Sequence, residues 1–317
     1  MTYSTGSLIL AADYNTFVGA LGTTAPNTIN TVWALGSGSA GYGQANISQV
    51  SVAGTVTATQ WASLINTLNS IVTHQSGAGT GITAVTAGQT IVANTFISSN
   101  ITTAYTNRLT FASNSAVVAG SGLASTWTSA TVNATIARSF GARATFASAD
   151  QARYFFNAGG RLKLNVSGAQ SASTTARTNA AIALCTNLGG VALFAANTNG
   201  GRTGTGGTLN TNDTAKGYWT STYNANTTVI SVTSTTASYT SDTATIAVNP
   251  NGAQGSYNGN GLNVDFWINL SSTAGANAGS LSFNDSLGIA VTRSIDVSYP
   301  ETTNLSNTWG AVTISSL

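Results

Sequence analysis

The chain has 317 residues, enough to bury a full core, and at the usual domain size of about 100 to 200 residues two domains are the first expectation, with one very large sandwich the alternative. Charged residues make up 6% of it, against about 25% in ordinary soluble domains, while hydrophobic residues make up 42% and the formal net charge is +2. Low net charge with Trp, Tyr and Phe spread along the whole length excludes a disordered chain; one cysteine excludes an internal disulfide framework, and one histidine excludes a Cys/His zinc site.

The polarity comes instead from Ser, Thr, Asn and Gly. Small neutral side chains lose little rotamer entropy on ordering and are cheaper to desolvate than Lys or Glu, so this composition suits surfaces that neighbouring subunits cover. Met1 is followed by Thr2, Tyr3 and Ser4 without a basic segment, and the apolar run in 7–12 is too short for a signal core or a membrane span. Synthesis and retention in a cytoplasm until assembly is the expectation.

In chain order, Tyr14, Phe17, Val18 and Leu21 have the spacing of a short first helix. Trp61, Leu64, Ile65, Leu68, Ile71 and Val72 line one face of a longer one, with Thr57 or Thr59 to cap its start and Gly77 to end it. Phe96, Ile97, Ile101, Tyr105 and Leu109 make a third. The two longer helices each follow a related turn, Val52-Ala53-Gly54-Thr55-Val56 and Thr86-Ala87-Gly88-Gln89-Thr90-Ile91, which reads as a weak internal repeat. No Asp, Glu, Lys or Arg occurs from Tyr14 to Asn107, whereas every basic residue lies from Arg108 onward. That shift places a boundary near 114–122, giving a helical adaptor over 1–115 and a second domain over 116–317.

From Trp127 the hydrophobic period changes to two, as in 131–136 and 161–166, which predicts antiparallel strands. Further strands are expected around 143–146, 228–233, 243–248, 262–270, 288–299 and 311–315. Turn signals stand at Asn157-Ala158-Gly159-Gly160, Asn199-Gly200, Asn251-Gly252 and Asn258-Gly259. Ile182, Leu184, Cys185 and Leu188 interrupt this with helical spacing, predicting one helix over 175–188 against the sheets. The fold class is therefore mainly β, a jelly-roll-like antiparallel β-sandwich with one inserted helix, preceded by the short helical part.

No constellation of reactive residues stands out. No two carboxylates share i, i+2 or i, i+4 spacing, although distant ones can meet in space as glycosidase pairs do. His74 ends the long amphipathic helix, where it suits capping or packing, and Cys185 reads as a buried inert thiol. The Gly-rich run 200–207 lacks the Lys-Ser/Thr of a phosphate cradle and reads as a flexible loop. Arg138, Arg143, Arg153, Arg161, Lys163 and Arg177 with Tyr154, Phe155 and Phe156 invite a nucleic-acid reading, but alternating strands split them between faces. The expectation is a protein that is not an enzyme, with no catalytic residue, cofactor or metal.

Two blocks carry a resemblance. The first is Ala12-Asp13-Tyr14-Asn15, Asn30-Thr31-Val32-Trp33, Gly41-Tyr42-Gly43-Gln44, Thr59-Gln60-Trp61 and His74-Gln75; the second is Ala152-Arg153-Tyr154-Phe155-Phe156-Asn157-Ala158-Gly159-Gly160-Arg161-Leu162-Lys163-Leu164, then 175–189, Gly217-Tyr218-Trp219 and a late Pro300. Together they resemble virion structural proteins of tailed bacteriophages, of the tail, baseplate or fibre type found in contractile-tailed phages and cyanophages. The chain departs from that pattern in its lack of charge over the first hundred residues and in Gly288-Ile289-Ala290, where a Gly-Thr pair is more familiar.

The resemblance implies a virion subunit that acts through symmetric assembly with copies of itself and other virion proteins. A baseplate, collar or fibre position comes first, and a capsid decoration or head-fibre position second. Trp33, Tyr42, Gln44 and Trp61 form a candidate docking motif, with Tyr42 as an aromatic plug between two glycines and the tryptophans packed on it. Tyr154, Phe155, Phe156, Asn157, Gly159 and Gly160 form a candidate hairpin, a strand entering a turn with 161–166 returning. A different class of role is binding of a host-surface glycan, with Trp219, Trp267, Tyr223 or Tyr257 stacking on sugar rings if they do not fill the core. A third is a polysaccharide or peptidoglycan hydrolase.

Overall fold

A computed structural model describes residues 10–23, 25–89, 95–130, 134–172, 175–273 and 286–317. Four helices come first: α1 (Ala11–Val18), α2 (Ile29–Trp33), α3 (Ala58–Ser76) and α4 (Thr95–Thr106). The long one starts and stops where its residues allow. Thr57 accepts a bond from the Gln60 amide while the Gln60 side chain accepts from the Thr57 amide, and Gly77 closes the far end with φ of 82°. The short α2 has no counterpart in the periodicity, because five residues cannot display a helical repeat. Of the two related turns, 52–53 leads into α3, and 87–88 is followed by α4 across residues that lie outside the described ones.

The described residues that follow form eleven strands and two helices: β1 (Asn114–Val118), β2 (Leu123–Ser129), β3 (Ile136–Thr145), α5 (Ala149–Asn157), β4 (Arg161–Gln170), α6 (Ala176–Leu188), β5 (Gly190–Phe194), β6 (Thr208–Asn212), β7 (Thr227–Thr233), β8 (Thr243–Asn251), β9 (Asn263–Ser272), β10 (Leu287–Pro300) and β11 (Thr313–Ser316). They form two antiparallel sheets. One runs β1-β10-β4-β5, with β2 continuing along the same side of β10 as β1; the other runs β11-β3-β9-β8-β7-β6. The predicted strand 131–136 falls partly outside the described residues, and Ile136 opens β3.

Alternation decides which side of each strand faces in. Ile289, Val291, Ile295 and Val297 of β10 are buried with Leu162, Leu164 and Val166 of β4, and opposite them lie Phe266 and Ile268 of β9 with Ile246 and Val248 of β8. α6 sits between the sheets and touches β4 and β10 on one side and β7, β8 and β9 on the other. Its buried positions, Arg177, Thr178, Ala180, Ala181, Leu184, Cys185 and Leu188, make a stripe wide enough for two neighbours. The architecture is thus a β-sandwich with a helix in its core, and the same apolar cluster continues without a break into Tyr14, Trp61, Leu64 and Leu68 of the helical part.

The candidate hairpin is corrected by the structure. Tyr154, Phe155, Phe156 and Asn157 lie in α5, whose start is capped by Ser148 accepting from the Gln151 amide at 3.1 Å. Gly159 and Gly160 close the helix: Gly159 takes φ of 90° and donates to the Phe156 carbonyl, and Gly160 donates to that of Phe155 at 2.7 Å. This is the double bond pattern of a glycine-terminated helix end, in which orphan carbonyls find donors. The aromatic run looks strand-like by propensity, but the Ser148 cap with Asp150 in the first turn was the overriding signal.

Candidate functional site

Part of what the resemblance singles out, Gly41 to Gly43, His74, Gln75, Arg153 and Asn157, meets at the junction between the helices and the sandwich. Gly41 and Gly43, with φ of 93° and 72°, hold a tight loop in which a β-carbon on Gly41 would strike the Leu35 carbonyl and one on Gly43 the ring of Tyr154. The two blocks therefore touch: Asn157 donates to the carbonyls of Gly38 and Gly41 at 3.1 Å each, and Arg153 donates to those of Ala40 and Leu35 at 2.6 Å. α5 is the strut on which loop 35–43 is wound.

Between the two glycines, Tyr42 is fully buried. Its hydroxyl donates to the Arg108 carbonyl at 3.0 Å and accepts from the Gln75 amide at 2.9 Å. Gln44 exchanges two bonds with the backbone of Ser306, at 2.9 and 2.8 Å, and so ties the loop to the segment before β11. The ring that meets Tyr42 edge-on is His74, with centroids 5.2 Å apart. Trp33 and Trp61 stand elsewhere: Trp33 donates its indole N–H to the Ala45 carbonyl at 2.9 Å, and Trp61 packs with Tyr14 and Phe17, centroids at 6.3 Å. Trp61 also borders a cavity of about 600 Å³ with Ile65, Ile82, Val85, Phe96 and Ile97.

His74 carries more than a helix cap. Its Nδ1 lies 2.9 Å from Glu301 Oε1, and Glu301 also receives the amides of Thr303 and Asn304 at 2.6 and 2.9 Å. Burial lowers the His74 pKa and outweighs the raising effect of Glu301, so the ring is neutral, with its Nδ1 proton donated to the carboxylate and Nε2 left without a partner. Burial alone would raise the Glu301 carboxyl, but the bonds from Asn304, His74 and Thr303 bring it below its ordinary value.

A base held neutral in the fold stabilises it fully above its unfolded value, about 6.5, and that stability is lost as pH falls below this value, because the unfolded chain takes up the proton first. Glu301, with a depressed value, contributes in the same direction in a lower window, below about 4.3. The melting temperature is therefore expected to fall between pH 6.5 and 5.5, and His74→Gln is expected to flatten that part of the profile in scanning calorimetry. A native profile that is level from pH 7.5 to 5.5 would refute this.

Other groups with chemical potential are also committed internally. Burial pushes the Cys185 thiol up to about 12, which leaves it inert. Arg293, buried between the sheets, donates to the carbonyls of Gly141 and Leu123 and to Ser125 and Ser316, joining β2, β3, β10 and β11. Arg177 is buried against Ser272 and the Ala134 carbonyl, Arg143 forms a bidentate pair with Asp265 at 2.6 and 2.7 Å, and Arg161 lies over the Phe111 ring. The basic stretch thus disperses into the interior and across faces. Loop 200–207 is tied down, with Arg202 bridging Val191 and donating to the carbonyls of Asn187 and Gly206.

Of the four aromatics considered for sugar stacking, Trp219 donates to Asn157 and packs on Tyr218, Tyr223 donates to the Gly252 carbonyl, and the Tyr257 ring lies 5.7 Å from the Arg153 guanidinium. Trp267 stands on the outward side of β9. Among the described residues, no three His, Cys, Asp or Glu side chains converge as a metal site, and no helix is long and apolar enough to cross a membrane. No family model matches the chain, and no curated protein or solved structure matches it either.

Proposed function

We propose that this chain is a structural subunit of a tailed-bacteriophage virion, a baseplate, collar or fibre component of the tail, which acts by assembling with copies of itself and other virion proteins and carries out no reaction. The observation that supports it most is where the charge goes. Among the described residues, Arg138 is the one Lys, Arg, Asp or Glu that is exposed; the rest are buried or half-buried. Solubility of a free monomer normally relies on charged surface, whereas a face of Ser, Thr, Asn and Ala is cheap to desolvate against a neighbour.

The edge strand β1 fits the same reading. Val117 and Val118 are 60% and 55% exposed, and residues 114–122 contain no charge or proline of the kind that blunts free sheet edges. Sedimentation of the purified chain is expected to show concentration-dependent oligomers, and Val117→Lys with Val118→Lys is expected to shift them toward monomer without lowering the melting temperature. Mass spectrometry of purified particles, with labelled antibody to mark head or tail, tests the location. A chain that stays monomeric at high concentration and is absent from every particle overturns the proposal.

A further inference from the structure

A cleft of about 330 Å³ opens where the helical part, the end of α5 and the β4-β5 edge meet. Its walls are mostly apolar: Leu109 and Phe111 from the segment between α4 and β1, Phe156 of α5, Leu193 of β5, and Ala196 of the loop that follows. Two local devices shape it. Ala192 and Leu193 together stand opposite Lys163, a bulge in which Leu193 takes φ of 46° and stays 42% exposed at the rim. Gly159 makes room for the Phe111 ring, which a β-carbon there would strike.

The lining holds a single charge. Arg161, the first residue of β4, donates through Nη2 to Asn114 Oδ1 at 2.6 Å, and its guanidinium lies 4.3 Å from the centre of the Phe111 ring. Among the described residues it is engaged no further: no carboxylate pairs with it, Nη1 has no acceptor and is open to solvent, and Nε is enclosed without one. Burial lowers its pKa, with no acid acting against that. Arg143, Arg153, Arg177 and Arg293, by contrast, are held by a carboxylate or by several oxygens. A half-desolvated cation beside apolar walls is a cost that an anion in the cleft offsets.

We propose that this cleft binds a small monocarboxylate with an apolar body, its carboxylate on Arg161 and its hydrocarbon part against Leu109, Phe111 and Leu193. A carboxylate accepts from a guanidinium in a charge-assisted bond, and the body removes apolar surface from water. A neutral ligand leaves the cation unpaired, and a phosphate brings a second negative charge that one arginine does not match. The volume is at the small end of ligand sites, which run from about 300 to 1,000 Å³, and that suits a free acid over a protein segment. No described Asp or Glu of the chain is exposed, so a second copy is not the source of the anion.

The test is ligand-observed NMR and calorimetric titration of the full chain with phenylacetate and hexanoate, each against its amide, and with inorganic phosphate and the peptide acetyl-Phe-Asp-amide. Binding of at least one acid is expected, with its amide about tenfold weaker or more, as loss of one charge-assisted bond gives. Arg161→Gln is expected to bring the acid down to the level of the amide, and Arg161→Lys to retain part of the difference. Leu193→Glu, which sets an acid at the rim, is expected to abolish binding, with circular dichroism confirming the fold of each variant. If Arg161→Gln does not fold, Arg161→Lys and Leu193→Glu decide. Neither acid bound, acid and amide bound alike, affinity unmoved by these substitutions, or tighter binding of phosphate or of the peptide overturns the proposal. The particle assay is independent of it, so either proposal can fail while the other stands.

Discussion

Replacing Arg153 with leucine is expected to cost about 3–5 kcal/mol of stability, the usual penalty for removing one member of a buried, hydrogen-bonded charge. Arg153 is fully buried, and its guanidinium bonds the carbonyls of Ala40 and Leu35 at 2.6 Å while its Nε lies 3.4 Å from Asp150. Leucine fills much of the volume but leaves two interior carbonyls without donors, each worth about 1–3 kcal/mol. Lysine keeps the charge yet cannot fork to two carbonyls, so Arg153→Lys is expected to recover only part of the loss. Urea unfolding measures the cost, and hydrogen exchange locates it: amides of loop 35–43 are expected to lose protection ahead of the sheets. Unchanged unfolding midpoints would mean that the loop is held to α5 by something other than this arginine.

Phe156→Ala is expected to be about as damaging, about 3–5 kcal/mol by the usual cost of emptying a large aromatic site. Its ring stacks on Tyr218 with centroids 4.4 Å apart and planes at 14°, and meets Phe194 edge-on at 6.1 Å. Phe155, its neighbour in sequence, is buried as well, against Phe146 and Tyr299. In a strand, adjacent residues face opposite sides and one of the two would tolerate truncation; in a helix enclosed on most sides, both are needed. Chemical denaturation of Phe155→Ala and Phe156→Ala is therefore expected to show two large losses. One neutral result would restore the hairpin.

How much of this was legible in the sequence depends on whether the signal was local. α3 was readable to its ends, because Thr57, Gln60 and Gly77 satisfy its terminal groups within the segment and Trp61 to Ile71 repeat along one face. α6 and the long strands β4, β8, β9 and β10 were readable for the same reason: ten or so residues display a period. β1, β5, β6 and α2 have five residues each and were missed. α5 was misread because its aromatics favour strands in isolation, and the Ser148 cap with Asp150 in the first turn, the local helix signal, was passed over; enclosure on most sides explains a helix with so little polar surface.

The candidate site divides in the same way. Gly41, Tyr42, Gly43 and Gln44 were recognisable as a loop with an aromatic centre, since glycine spacing and a lone tyrosine are local facts. Their partners were not. His74 reaches Glu301 across 227 positions, and Gln44 reaches Ser306 across 262.

By itself, the sequence determined a folded, mainly β chain with a charge-poor helical beginning and a helix embedded among strands, because composition and periodicity act over a few residues at a time. Only the tertiary structure decided that most of the scarce charges turn inward or pair with one another. Burial and pairing depend on which strands become neighbours, and that information lies in contacts more than a hundred residues apart.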